Sequence, residues 1–181
     1  MSFTITCRPT ANGTYQQFQY QNPSGYYHYQ KVYEVVADGS TTYIKAQGLT
    51  KLADTFQFSK PTPQGRIVSV TVVSRCASGG NGNEAYLSTA LYHPSHSIKY
   101  GTESYLYPTG WNWTNLSTVY STNPWTSSPW TWDDIDDLEF GAACRCGNAS
   151  HVGVCTQTYL IIEWDYVIAA GGAQIIGLEL L

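Results

Sequence analysis

Residues 66–76, RIVSVTVVSRC, constrain the fold more than any other stretch of the chain. Val68, Val70 and Val72 share one parity, and Ser69 and Thr71 share the other. Successive side chains of a strand point to opposite faces. This is therefore a strand with one face in a core, and Val68, Val70 and Val72 are expected to be buried together. Runs of the same kind recur at 3–7, 15–20, 26–36, 41–44, 56–58, 85–93, 100–107, 113–120, 138–146 and 152–167. In the last of them Val152, Val154, Thr156, Thr158, Leu160, Ile162 and Trp164 share a parity. Turn chemistry separates them: Asn12-Gly13, Asn22-Pro23-Ser24-Gly25, Asp38-Gly39-Ser40 and Gly147-Asn148. No segment sustains a helical period. Many short strands punctuated this way make an all-β sandwich or barrel in a single domain, residues 1–167.

The one interruption is residues 120–142, YSTNPWTSSPWTWDDIDDLEFGA. Two prolines push the chain out of helical geometry. An acidic turn, Asp133 to Asp137, follows, which Thr131 or Asp133 is placed to cap. The run then re-enters a strand, as a crossover between two sheets requires. Trp130, Trp132 and Ile135 are expected to form a packed corner with the aspartates outside, and loss of Asp134 is expected to cost little. Trp111, Trp113, Trp125, Trp130 and Trp132 admit three readings: a platform for sugar rings if exposed, anchors at a subunit contact, or core.

A chain of 181 residues suffices for one substantial core. Only 12% of residues are charged, and there are fifteen tyrosines, which suit half-buried sheets and contact surfaces. A net charge of −4 carries no footprint for nucleic acid. No apolar run reaches the ~20 residues of a membrane helix, and residues 1–10 lack the pattern of a secretory leader. The five cysteines, Cys7, Cys76, Cys144, Cys146 and Cys155, lack zinc spacing, so buried thiols or disulfides are favoured over a metal site. Cys144 and Cys146 are expected to reach other strands rather than each other.

Nothing assembles into catalysis. Asp133, Asp134, Asp136 and Asp137 lack calcium-loop spacing and read as a solvated cap. Glu34, Glu84, Glu103, Glu139 and Glu163 are scattered, with no two singled out as a glycosidase pair. His93-Pro94-Ser95-His96 reads as polar surface rather than a metal loop, and no nucleophile or phosphate-binding motif is present. The expectation is a protein that is not an enzyme, with no catalytic residue, metal or cofactor.

Beyond the small-residue hinge at 169–173, the chain ends in QIIGLELL. Ile175, Ile176, Leu178, Leu180 and Leu181 are costly to leave in water. Residues 168–181 therefore read either as a final strand of their own domain or as an apolar arm for a neighbour's sheet.

Four segments in order carry a resemblance. VYEVVADGSTTYI presents Glu34, Asp38, Thr42, Tyr43 and Ile44. Residues 66–72 read RIVSVTV. Residues 120–141 match Y-x-T-N-P-x-T-x-x-P-W-T-W-x-D-I-D-x-L-E-x-G, and residues 154–163 form a V-x-x-Q-x-Y-type hairpin. Together they resemble a family of β-sandwich structural proteins encoded by tailed bacteriophages and prophage-like regions. The resemblance spans about residues 1–167 and leaves the cysteines and the tail unexplained. It implies a jelly-roll-like antiparallel sandwich and a non-enzymatic virion component, such as a capsid decoration, made in the host cytoplasm. Such a protein would self-associate through its aromatic surface and C-terminal arm, with other copies of itself and other virion proteins as partners. The alternatives are a carbohydrate-binding or adhesion module, with glycans as partners, and a subunit of an extracellular filament. No partnership with nucleic acid and no membrane insertion is expected.

Overall fold

A computed structural model describes residues 1–21, 27–80, 82–106 and 111–166. The chain runs through β1 (Ser2–Cys7), β2 (Pro9–Gln16), β3 (Gln19–Gln21), a 3-10 turn (His28–Lys31), β4 (Tyr43–Gln47), β5 (Leu52–Phe58) and β6 (Arg66–Ser78). It continues through β7 (Ala85–Tyr92), β8 (Lys99–Tyr100), β9 (Ser104–Leu106), β10 (Thr114–Tyr120), α1 (Trp132–Asp136), β11 (Glu139–Cys146) and β12 (Val152–Asp165). Among the described residues these make two antiparallel sheets. Sheet A has the order β10-β6-β12-β4-β3, with β1 also on β12, and sheet B has the order β2-β5-β11-β7-β8, with β9 also on β7. From β5 to β7, and again from β10 to β12, consecutive long strands change sheet, so the chain wraps the core as a jelly-roll sandwich.

One end of the core gathers Ile44, Phe56, Leu87 and Leu116 with four of the cysteines. The other gathers Val70, Val72, Leu91, Phe140, Leu160 and Ile162 beneath Trp130 and Ile135. The five cysteines are buried free thiols. Contrary to expectation, Cys144 and Cys146 do meet each other, with sulfurs 3.9 Å apart, because positions i and i+2 share the inner face of β11.

Simple alternation fails at two places, and bulges are the reason. Between Glu163 and Trp164 the β12–β6 register shifts, so Ile67 turns inward at 5% exposure and Val68 turns out at 36%. Val70 and Val72 are buried as expected and Val68 is not. A second shift between Cys155 and Gln157 splits the long parity of β12, leaving Cys155 in the core with Leu160 and Ile162 while Val154 turns to the outer face.

Two expected elements are also different. Asn12-Gly13 is not a hairpin turn; it lies inside β2, where the register against β5 slips between Asn12 and Gln16. Glycine is required there, since a Cβ would run into the Glu139 carboxylate and the Thr55 carbonyl. Of the expected strand at 26–36, the described residues 27–36 do not form one. They contain the 3-10 turn, which buries His28 and Lys31 and is followed by irregular backbone to Ser40.

The crossover at 120–142 forms as read. Thr131 caps α1, accepting the Asp134 N–H at 3.2 Å. Asp134 is not a bystander: its carboxylate accepts the Thr131 N–H at 2.8 Å and the hydroxyl at 2.7 Å, closing a reciprocal capping box.

Candidate functional site

The tryptophans divide by position. Trp130 is 3% exposed and donates its indole N–H to the Tyr120 carbonyl at 2.9 Å. Trp132 donates to the Gly65 carbonyl and Trp125 to the Ser97 carbonyl, both at 2.7 Å, and both rings pack partly buried against the core. The outer side of Trp125 carries the His96 ring, stacked at 5.3 Å, with His93 beyond it. These three tryptophans form a structural corner and do not present the sugar platform considered for them. Trp111 and Trp113 behave differently.

Trp113 leads into β10 at one edge of sheet A, while Tyr43 stands on β4, with β6 and β12 between them. The Trp111 ring nonetheless lies 5.2 Å from the Tyr43 ring and 5.9 Å from Trp113. The row therefore crosses the outer surface of β6 and β12. Alternation from the buried Ile44 places Tyr43 on that outer surface. Val154 and Ala77, paired across β12 and β6, are fully buried beside it. The upper side stays open, with Trp111 39% exposed.

One end of the row meets a polar loop. Gly39 takes φ +67°, which favours glycine, and this turn sets residues 38–42 against Trp113. Asp38, itself exposed, accepts the Thr42 N–H at 3.2 Å, and the Thr156 hydroxyl lies 3.2 Å from Asp38 and 2.9 Å from the Thr42 carbonyl, so its single proton serves one of the two at a time. The Thr42 hydroxyl lies 2.7 Å from Glu34 and 2.9 Å from Asp38, so its single proton serves one carboxylate at a time. Burial raises the Glu34 carboxyl above its ordinary range, against the Thr42 hydrogen bond, and its second oxygen is buried without a hydrogen-bond partner. Burial lowers Lys31, and the Asp38 and Glu34 charges oppose that shift. The result is an aromatic row with carboxylates and hydroxyls fixed at one edge.

Five further acids, Asp54, Glu139, Glu103, Glu84 and Glu163, are held by structural partners. Asp54 is buried against His28 and accepts the Phe18 N–H at 2.8 Å, with burial raising its carboxyl. Glu139 accepts from Thr14 and Thr55. Glu103 is clasped by Arg145 and Lys51, Glu84 accepts the Tyr105 hydroxyl, and Glu163 meets Ser2 and Ser69. No two of them face each other across an open cleft. His151 accepts the Glu84 N–H and is turned away from the cysteines.

Of the candidates read from sequence, the structure brings together Trp111 and Trp113, assigns Trp125, Trp130 and Trp132 to the corner, and leaves Ile175, Ile176, Leu178, Leu180 and Leu181 outside the described residues. Sequence reasoning missed Tyr43, Glu34, Asp38 and Thr42 as members of one site. The Asp-Gly turn directly before Thr-Thr-Tyr was the available signal.

No family model matches the chain, and no curated protein does. Solved structures do. CBM35 from Cellvibrio japonicus Abf62 is 10% identical, with 91% of this chain and 99% of that one covered and a TM-score of 0.45. TmCBM61, in complex with β-1,4-galactotriose, is 10% identical over 82% and 90%, with a TM-score of 0.41. A carbohydrate-binding module from Cellvibrio mixtus lichenase 5A, in complex with cellotriose, is 10% identical over 89% and 96%, with a TM-score of 0.37. Likeness at this level concerns the fold and identifies no residue of this chain. It corrects the expectation of a virion coat component: the similar structures named are carbohydrate-binding modules, and the readings of capsid decoration and self-assembly are withdrawn.

Proposed function

We propose that the protein is a carbohydrate-binding module whose platform is the row Tyr43, Trp111 and Trp113. The carrying observation is that row itself: three contiguous rings on an outer sheet face, partly open to solvent, with polar groups at one edge. Aromatic faces take the C–H face of a pyranose, while fixed hydroxyls and carboxylates hydrogen-bond the ring's own hydroxyls and set its orientation. Asp38 is the recognition group best placed, since Thr42 and Thr156 hold it and it is exposed.

Affinity electrophoresis against soluble β-glucan, xylan, galactan, mannan and pectin tests this reading. The wild-type chain should be retarded by at least one of them. Trp111→Ala should lose about 2 kcal/mol of binding, roughly a thirtyfold loss of affinity, while keeping its melting temperature. Equal retardation of wild type and Trp111→Ala, or no retardation in any gel, counts against the platform.

A further inference from the structure

Between β2 and the 3-10 turn lies an open cavity of about 470 Å3, lined by Thr10, Ala11, Asn12, Gln16, Tyr27 and Tyr29. The register slip between Asn12 and Gln16 interrupts regular pairing of β2 with β5 on one side of it. The 3-10 turn supplies the other side, with the Tyr27 and Tyr29 rings nearly parallel at 6.0 Å. Tyr27 is 64% exposed, far more than packing of a tyrosine would leave. The volume falls within the range of small-ligand sites.

We propose that this cavity is a second sugar subsite, separate from the tryptophan row, that takes a single neutral pyranose ring. The proposal rests on the reading of the protein as a glycan binder. The polar lining is already oriented. The Asn12 side-chain oxygen accepts the Tyr29 N–H at 2.9 Å, and its nitrogen donates to the Gln16 oxygen at 2.7 Å. The Gln16 nitrogen donates to the Gly13 carbonyl at 3.2 Å. An amide nitrogen carries two N–H groups, and these bonds use one from each, leaving one apiece for a ligand hydroxyl. Among the described residues the lining holds no Lys, Arg, Asp or Glu. An acidic sugar would bring its carboxylate to a place with no counter-charge, whereas a neutral ring lays its apolar face on the Tyr27–Tyr29 pair and its hydroxyls toward the amides. The tryptophan row differs in having Asp38 and Glu34 at its edge. One irregular segment, 27–42, feeds both places: its first residues wall the cavity and its last ones edge the row.

The test is NMR titration of the full chain with methyl pyranosides of glucose, galactose, mannose and xylose, and with methyl glucuronide and methyl galacturonide. It is run on wild type, Tyr27→Ala, Gln16→Ala and Trp111→Ala. Both cavity variants alter exposed side chains, and unchanged melting temperatures establish that they fold. The proposal expects at least one neutral pyranoside to bind Trp111→Ala, with a tenfold or greater loss in Tyr27→Ala and Gln16→Ala and at least tenfold weaker binding of the uronides. Neutral binding unchanged in both cavity variants, or uronides bound as tightly as neutral rings, overturns it. Loss in Trp111→Ala alone refutes the cavity while leaving the tryptophan row standing, and loss in the two cavity variants alone supports the cavity and leaves the row to be judged by the polysaccharide gels.

Discussion

The corner at Trp125, Trp130 and Trp132 and the row at Trp111 and Trp113 use the same residue for opposite ends. In the corner each indole N–H is held by a backbone carbonyl and each ring packs on the core beneath. Trp130 is buried outright, while Trp125 and Trp132 keep only part of their rings in the open. In the row the rings lie over the outer side of sheet A, with Trp111 39% exposed. A tryptophan is a binding group when the layer under it is already closed without it. Where the tryptophan is itself the closure, it belongs to the fold.

That contrast breaks or sharpens under substitution. The largest effect is expected in the core shared with the corner: Val70→Asp places an unpaired carboxylate where nothing hydrogen-bonds it and should abolish cooperative folding. Val68→Asp, two residues away but turned out by the bulge, should change stability by no more than about 0.5 kcal/mol. Urea denaturation of the pair would refute the bulge if the two behaved alike. Next comes Trp130→Ala, expected to cost about 3–5 kcal/mol by the same measurement, against a small change for Trp111→Ala. A Trp111→Ala chain as destabilised as Trp130→Ala would erase the distinction between row and corner. Asp134→Ala opens the capping box of α1 and should cost about 1 kcal/mol.

The smallest expected effect is one of pH. Burial raises Glu34 above its ordinary value of 4.5, beside Asp38 and Lys31. The folded chain thus keeps this proton to higher pH than the unfolded chain, and the group's contribution is lost as pH rises through the folded value. Glu34→Gln removes that loss, so its melting temperature relative to wild type should climb as pH rises above the ordinary value of 4.5. A relative melting temperature that falls with pH would show the sign to be wrong.

Much of the architecture was legible. Alternation around Val70 and Val72, the turn residues and the capped acidic step predict an all-β sandwich with a crossover at 120–142, and the structure has one. What escaped was long-range. A bulge is set by the partner strand, and nothing local to residues 66–72 announces that Val68 turns out. Residues 26–36 alternate like a strand in sequence, yet His28–Lys31 form a turn in which His28 is buried beside Asp54 and Lys31 is buried too. The site escaped for the same reason, since Tyr43 and Trp111 meet only once β6 and β12 lie between them. The density of tryptophan pointed to aromatic function but drew attention to the corner, where proline and aspartate made the motif conspicuous.

The most direct test follows the six indole N–H resonances during titration with the glycan that retards the protein most, each assigned by substitution. The account predicts saturable shifts of Trp111 and Trp113, with Trp125, Trp130 and Trp132 holding still. Shifts at the corner with none in the row, or six unmoved resonances at a saturating glycan concentration, would contradict it.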